Sequence, residues 1–162
     1  VNTITTPTIA TAVKRGNNWK WIAGIGALVV VALVILSAMN WGMGSMPADL
    51  DFSTTRTSTN GVFRAAIRPA VDPIPINTLH SWTLHVETPD GKPIENAMIT
   101  LHGDMPQHGH GMPTTPTVTS YLGQGNYTVD GMKFQMAGWW VVDFDLKAGG
   151  MTDQVRFNLL LK

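Results

Sequence analysis

Strict alternation of apolar and polar residues over the last hundred or so positions predicts an all-β immunoglobulin-like sandwich of about seven strands. Short clusters of Gly, Pro, Asn and Asp, such as "PDGKP", "GQGN" and "KAGGMT", separate the alternating runs as turns separate strands. Ahead of them an uncharged apolar run predicts a single transmembrane α-helix.

From the N-terminus, residues 1–18, "VNTITTPTIATAVKRGNN", are threonine-rich without hydrophobic periodicity. They read as a cytoplasmic tail that would be ordered only against a partner. Residues 19–41 are the expected span. Its centre, "WIAGIGALVVVALVILSAM" from Trp21 to Met39, holds no charge. At about 1.5 Å per residue it covers roughly 28 Å, close to the hydrocarbon thickness of a bilayer. Trp19 and Trp21 at one end and Trp41 at the other suit the headgroup zone, and Gly24 leaves room for close helix packing. Lys14, Arg15 and Lys20 precede the run and no acid occurs before Asp49, which places the N-terminus in the cytoplasm. A cleaved signal peptide shares the basic start and apolar run, but this run is longer than a usual signal core, so a retained anchor is expected. Residues 42–60 read as a polar linker and residues 61–162 as the outer β-domain.

Within that domain Phe63, Ala65 and Ile67 share one parity, as do Trp82, Leu84 and Val86, then Ala97, Ile99 and Leu101. Val118–Leu122 is a short candidate strand, and Tyr127–Phe134 another with a bulge at Gly131. Trp140, Val142, Phe144 and Leu146 form the next inward row, and Val155, Phe157, Leu159 and Leu161 the last. His85 and His102 fall on outer parity, whereas His80 falls inward as a hydrogen-bonding residue at a strand start. Asp143 and Asp145 read as solvated charges. Pairing the last two strands across "KAGGMT" sets Val141 opposite Leu160 with Trp139 nearby, an outward apolar cluster that is a candidate contact surface.

The segment "LHGDMPQHGHGMP", residues 101–113, holds three of the five histidines and two of the nine methionines. His108, His110 and Met112 occupy alternate positions, so an extended backbone would aim all three the same way. Imidazole suits Cu(II), Zn(II) and Ni(II), and thioether selects Cu(I). A histidine and methionine set in a chain without cysteine therefore favours copper, with Met105 and Met136 as further candidate ligands. The competing reading is a rigid Gly/Pro loop whose imidazoles bond to backbone carbonyls.

Other chemistries are poorly supported. A formal net charge of zero with only 14% charged residues does not indicate a nucleic-acid partner. Without cysteine there is no disulfide, thiolate metal site or thiol nucleophile. No catalytic constellation or phosphate loop is present, so neither an enzyme nor a small-molecule substrate is inferred.

The blocks "MPQHGHGMPTTPTVT" and "GQGNYTVDGMKFQMAGWWVVDFDL" resemble the YtkA-like domain family, a relative of FixH-type proteins, over residues 80–160 or so. The resemblance implies a small membrane-anchored or exported bacterial β-sandwich linked to extracytoplasmic copper handling and respiratory complexes. On it, His108 and His110 match the histidine pair, Met105 the methionine before it, and Met136 the methionine ahead of the tryptophan strand. Two functions are expected from all of this. The first is a single-span accessory subunit of a respiratory or photosynthetic electron-transfer complex in the bacterial inner membrane. Its partners would be lipid and the other subunits, and its sandwich would dock on the periplasmic face. The second is a membrane-tethered periplasmic copper-binding protein or carrier.

Overall fold

The computed structural model describes residues 45–162. The expected tail and span, with Trp19, Trp21, Gly24 and Trp41, lie outside the described residues. Among the described residues no helix is long and apolar enough to cross a membrane. They form an all-β, sandwich-like arrangement of two antiparallel sheets.

In chain order the strands are β1 (Thr55–Thr57), β2 (Arg64–Pro69), β3 (His80–Glu87), β4 (Met98–Met105), β5 (His110–Gly111), β6 (Thr117–Gly123), β7 (Asn126–Met132), β8 (Gly138–Ala148) and β9 (Met151–Leu161). One sheet runs β1-β2-β3-β7-β6 and the other β5-β4-β8-β9. All seven expected strands are present, and two short ones join them at sheet edges. One of these is β1, inside the stretch read as a linker, where Thr55 pairs with Ala66 and Thr57 with Arg64.

The alternation translates directly into burial. Phe63, Leu84, Val86, Val129, Phe134, Trp140, Val142, Phe144, Leu146, Val155 and Phe157 are completely inaccessible, and Trp82 nearly so. Burying such side chains is worth roughly 1.5–3 kcal/mol each, which is what holds two sheets face to face. The bulge falls where expected: His80 pairs with Met132 but Trp82 with Val129, and Gly131 takes a positive φ of 85° that glycine adopts without strain.

The register of the last hairpin differs from the expected one. Gly149 and Gly150, both at positive φ, make a tight turn. Val141 therefore lies opposite Asn158, and it is Trp139 that lies opposite Leu160. Asp143 also departs from expectation. It is only 3% exposed, because the Arg156 guanidinium clamps both its carboxylate oxygens at 2.8 and 2.7 Å, with His102 Nε2 at 3.5 Å. Asp145 accepts from Gln154 Nε2 at 2.9 Å.

Strand direction gives the sandwich two poles. One gathers the ends of β2, β4, β7 and β9 with the starts of β3, β5 and β8, as the pairings Pro69–Trp82, Met105–His110 and Gly138–Leu161 show. The other carries the β6–β7 and β8–β9 turns and the loop before β2. The segment from Asp51 to Thr59 runs from the first pole towards the second: the Asp51 carbonyl accepts from Asn158 Nδ2, and Thr59 N–H donates to the Gln154 carbonyl.

Candidate metal centre

The histidine segment is the tip of the β4–β5 hairpin at the first pole. The N–H groups of His108 and Gly109 both donate to the Met105 carbonyl at 2.9 Å, closing a tight turn, and Gly109 takes a φ of 67°. His108 therefore lies in the turn, not on an extended strand. The two imidazoles still meet, with ring centroids 5.9 Å apart and planes tilted by 35°. His108 is exposed and His110 half-buried.

Beneath them His110 packs edge-on against Trp140 at 5.8 Å between centroids. Trp140 in turn meets Phe134 at 5.1 Å, and Phe134 meets Trp82 and His80 at 6.0 and 5.8 Å. An aromatic column thus runs from the core to the hairpin tip. The facing loop, residues 133–137, closes the other side. Gln135 Nε2 lies 3.0 Å from His110 Nδ1, and the Met136 carbonyl accepts from Trp140 Nε1 at 3.0 Å.

The methionines are divided. Met105 is 1% exposed, and its methyl group fills the space that a side chain at Gly138 would need. Met112 is half-buried, its N–H bonded to the Gly103 carbonyl at 3.0 Å and its side chain laid over Gly103. Both belong to the packing of the sandwich. Met136, on the facing loop, is 37% exposed. The structure thus brings His108 and His110 together, with the loop bearing Met136 alongside, and packs Met105 and Met112 inward. Among the described residues no three His, Cys, Asp or Glu side chains come together in a way that could hold a metal ion.

The donor set is chemically suited to copper. Two imidazoles, with a methionine on the facing loop and no thiolate in the chain, are soft to borderline ligands, while the exposed Asp104 lies against Gly111 across the hairpin. His110 also has the oriented ring that metal ligands require, held by Trp140, Gln135 and the Gly111 carbonyl. Gln135 and Trp140 are the residues that sequence reasoning missed at this site. The alternation presents Trp140 only as core, and nothing in the sequence marks Gln135.

Of the outward cluster, Leu160 is 48% exposed. Trp139 is half-buried and donates from Nε1 to Asn158 Oδ1 at 3.1 Å, and Val141 is 6% exposed on the face over which the Asp51 segment runs.

No curated protein matches the chain at a significant level. A family model does: residues 67–145, from the middle of β2 to the middle of β8, match the YtkA-like family. The match contains the hairpin tip, the facing loop and Trp140, and it overlaps the stretch on which the resemblance was read, so this chain carries a YtkA-like domain.

Proposed function

We propose that the domain is a copper-binding module, an immunoglobulin-like sandwich tethered by a single transmembrane helix on the periplasmic side of a bacterial inner membrane. In this reading it binds and passes on metal and does not catalyse a reaction. The observation that carries it is the pair of imidazoles 5.9 Å apart at a hairpin tip, backed by a buried tryptophan, with the 37%-exposed Met136 on the facing loop. His108 and His110 would hold the ion, with Met136 as the third donor. Copper supplies a thiophilic, nitrogen-loving centre, and the protein supplies orientation and an open outer side for exchange.

The test is a Cu(I) titration of the full chain in detergent against a chromophoric chelator. His108→Ala and His110→Ala should each abolish tight binding while the β-sheet circular dichroism stays unchanged. Unaltered copper stoichiometry in the double variant would sink the proposal.

A second reading, the accessory subunit of an electron-transfer complex, is favoured by the half-exposed Leu160 beside Trp139 and by the apolar run at residues 21–39. It predicts recovery in fixed ratio with other membrane proteins in mild detergent. Isolation as a free monomer counts against it. The two readings are compatible, since a docked domain can still hold an ion.

A further inference from the structure

Three polar atoms beside the histidine pair form a nearly equilateral triangle. Nδ1 of His110 lies 3.1 Å from the Gly111 carbonyl oxygen, Gln135 Nε2 lies 3.0 Å from that Nδ1, and the same Nε2 lies 3.1 Å from the Gly111 oxygen. A neutral imidazole carries its proton on only one nitrogen, so the triangle admits two arrangements. In one, Nδ1–H donates to the Gly111 carbonyl and Nε2 keeps a free lone pair. That is how ligating imidazoles are commonly held, with the second nitrogen donating to a carbonyl or carboxylate. In the other, Nδ1 is bare and accepts from the Gln135 amide. The proton then occupies Nε2, and that nitrogen cannot ligate.

The Gln135 carboxamide favours the second arrangement. Its amino group faces the triangle, where two acceptors are available, while its Oε1 is buried without a hydrogen-bond partner among the described residues. Turned round, Oε1 would face the Gly111 oxygen, and two acceptors would compete for the single Nδ1 proton. The side chain thus leaves a buried carbonyl oxygen unpaired, itself a cost, in order to present donors to His110 and Gly111.

We propose that Gln135 is a positioning residue that keeps part of the metal-free population of His110 in the Nε2–H form and so loosens the site's hold on copper. The inference rests on the reading of His108 and His110 as copper ligands. Loading the ion moves one proton from Nε2 to Nδ1 through water, with none gained or lost overall, and Gln135 then retains only its bond to the Gly111 carbonyl. The apparent affinity falls in proportion to the competent fraction, which suits a site that must release what it takes up.

The experiment uses the full chain in detergent with ¹⁵N-labelled imidazoles. In the metal-free chain the His110 resonances, identified by their loss in His110→Asn, should show a measurable Nε2–H population, and Cu(I) should convert it to Nδ1–H. Gln135→Leu fills the same corner, removes the competing donor and adds no thioether that could itself bind Cu(I). It should shift His110 towards Nδ1–H and raise Cu(I) affinity by about three- to tenfold. Gln135→Glu, which offers a fixed acceptor and keeps the corner polar, should also raise affinity. Metal-free His110 found wholly as Nδ1–H overturns the inference, as does unchanged or weaker binding in both variants at normal melting temperature. If copper binds none of the chains, the proposed function fails, while the metal-free spectrum still decides whether Gln135 bonds to Nδ1.

Discussion

The two poles of the sandwich treat their buried polar groups in opposite ways. At the pole of the β8–β9 turn every such group that anchors a loop is satisfied. The Asp153 carboxylate accepts from Asn60 N–H and Nδ2 and from Gln154 N–H at 2.9 Å, and from Val62 N–H at 3.4 Å. Burial would raise its pKa, but hydrogen bonds from Ser58 and from the backbone of Gln154, Asn60 and Val62 outweigh that and bring it down to about 2. Tyr127 similarly pins the approach to β4, donating to the Ile94 carbonyl at 2.7 Å and accepting from Ala97 N–H at 3.1 Å. At the histidine pole, by contrast, His80 Nε2, Trp82 Nε1 and Gln135 Oε1 are all buried without partners among the described residues. Natural sequences tolerate such local violations mainly where function demands them. One end is fully tied, and the other leaves polar atoms unspent.

Trp140 should show the largest effect, because it is the piece that joins the core to the hairpin tip. Trp140→Ala is expected to cost roughly 3–5 kcal/mol in chemical denaturation and to weaken copper binding by freeing the His110 ring. A loss under about 1 kcal/mol would mean that the aromatic column contributes little. Next comes Gly138, whose φ of 123° and abutment on the Met105 methyl exclude a side chain. Gly138→Ala should cost roughly 1–3 kcal/mol by overpacking, and combined with Met105→Ala, which alone should cost about 2–5 kcal/mol, it should lose less than the sum of the two. Additive losses would show that the two residues do not press on each other.

Asp153 sharpens the contrast through pH. Its folded pKa is depressed, so its contribution is complete above about pH 4 and is lost as pH falls towards 2. Asp153→Asn should lower the melting temperature at neutral pH and flatten the acid limb between those values. An unchanged acid limb would assign acid sensitivity elsewhere. The smallest effect belongs to the half-exposed Leu160, where Leu160→Ser should change stability by no more than about 0.5 kcal/mol. A larger loss would show that this face is covered in the intact chain.

The core was legible because its inward residues recur at every second position, a period that a single sequence displays. Trp82, Leu84 and Val86 announce β3 as plainly as Trp140, Val142 and Phe144 announce β8. β1 was invisible for the opposite reason. Thr55–Thr57 bury no apolar row and are strand only because the β2 edge offers hydrogen bonds. Register escaped too, since where the β8–β9 turn tightens depends on the positive φ of Gly149 and Gly150, not on side-chain pattern. At the site, residue type singled out the histidine pair. The inward row Ala97, Ile99 and Leu101 runs on to Met105, so its burial follows from parity, whereas the placement of Met112 over Gly103 and the polar triangle at Gln135 depend on three-dimensional neighbours that no spacing rule encodes. Asp143 looked like a surface charge because outward parity does not show that Arg156 will lie across it.

β9 ends at the same pole as the hairpin, on the far side of β8 from it, as the pairing of Leu161 with Gly138 shows, so the backbone at Lys162 leaves the sandwich at the pole that carries His108 and His110. A polyhistidine purification tag placed after Lys162 would put a rival cluster of imidazoles at the same pole as the natural pair, to compete for the same ion. Tag-free protein, or cleavage before any titration, follows from strand direction alone.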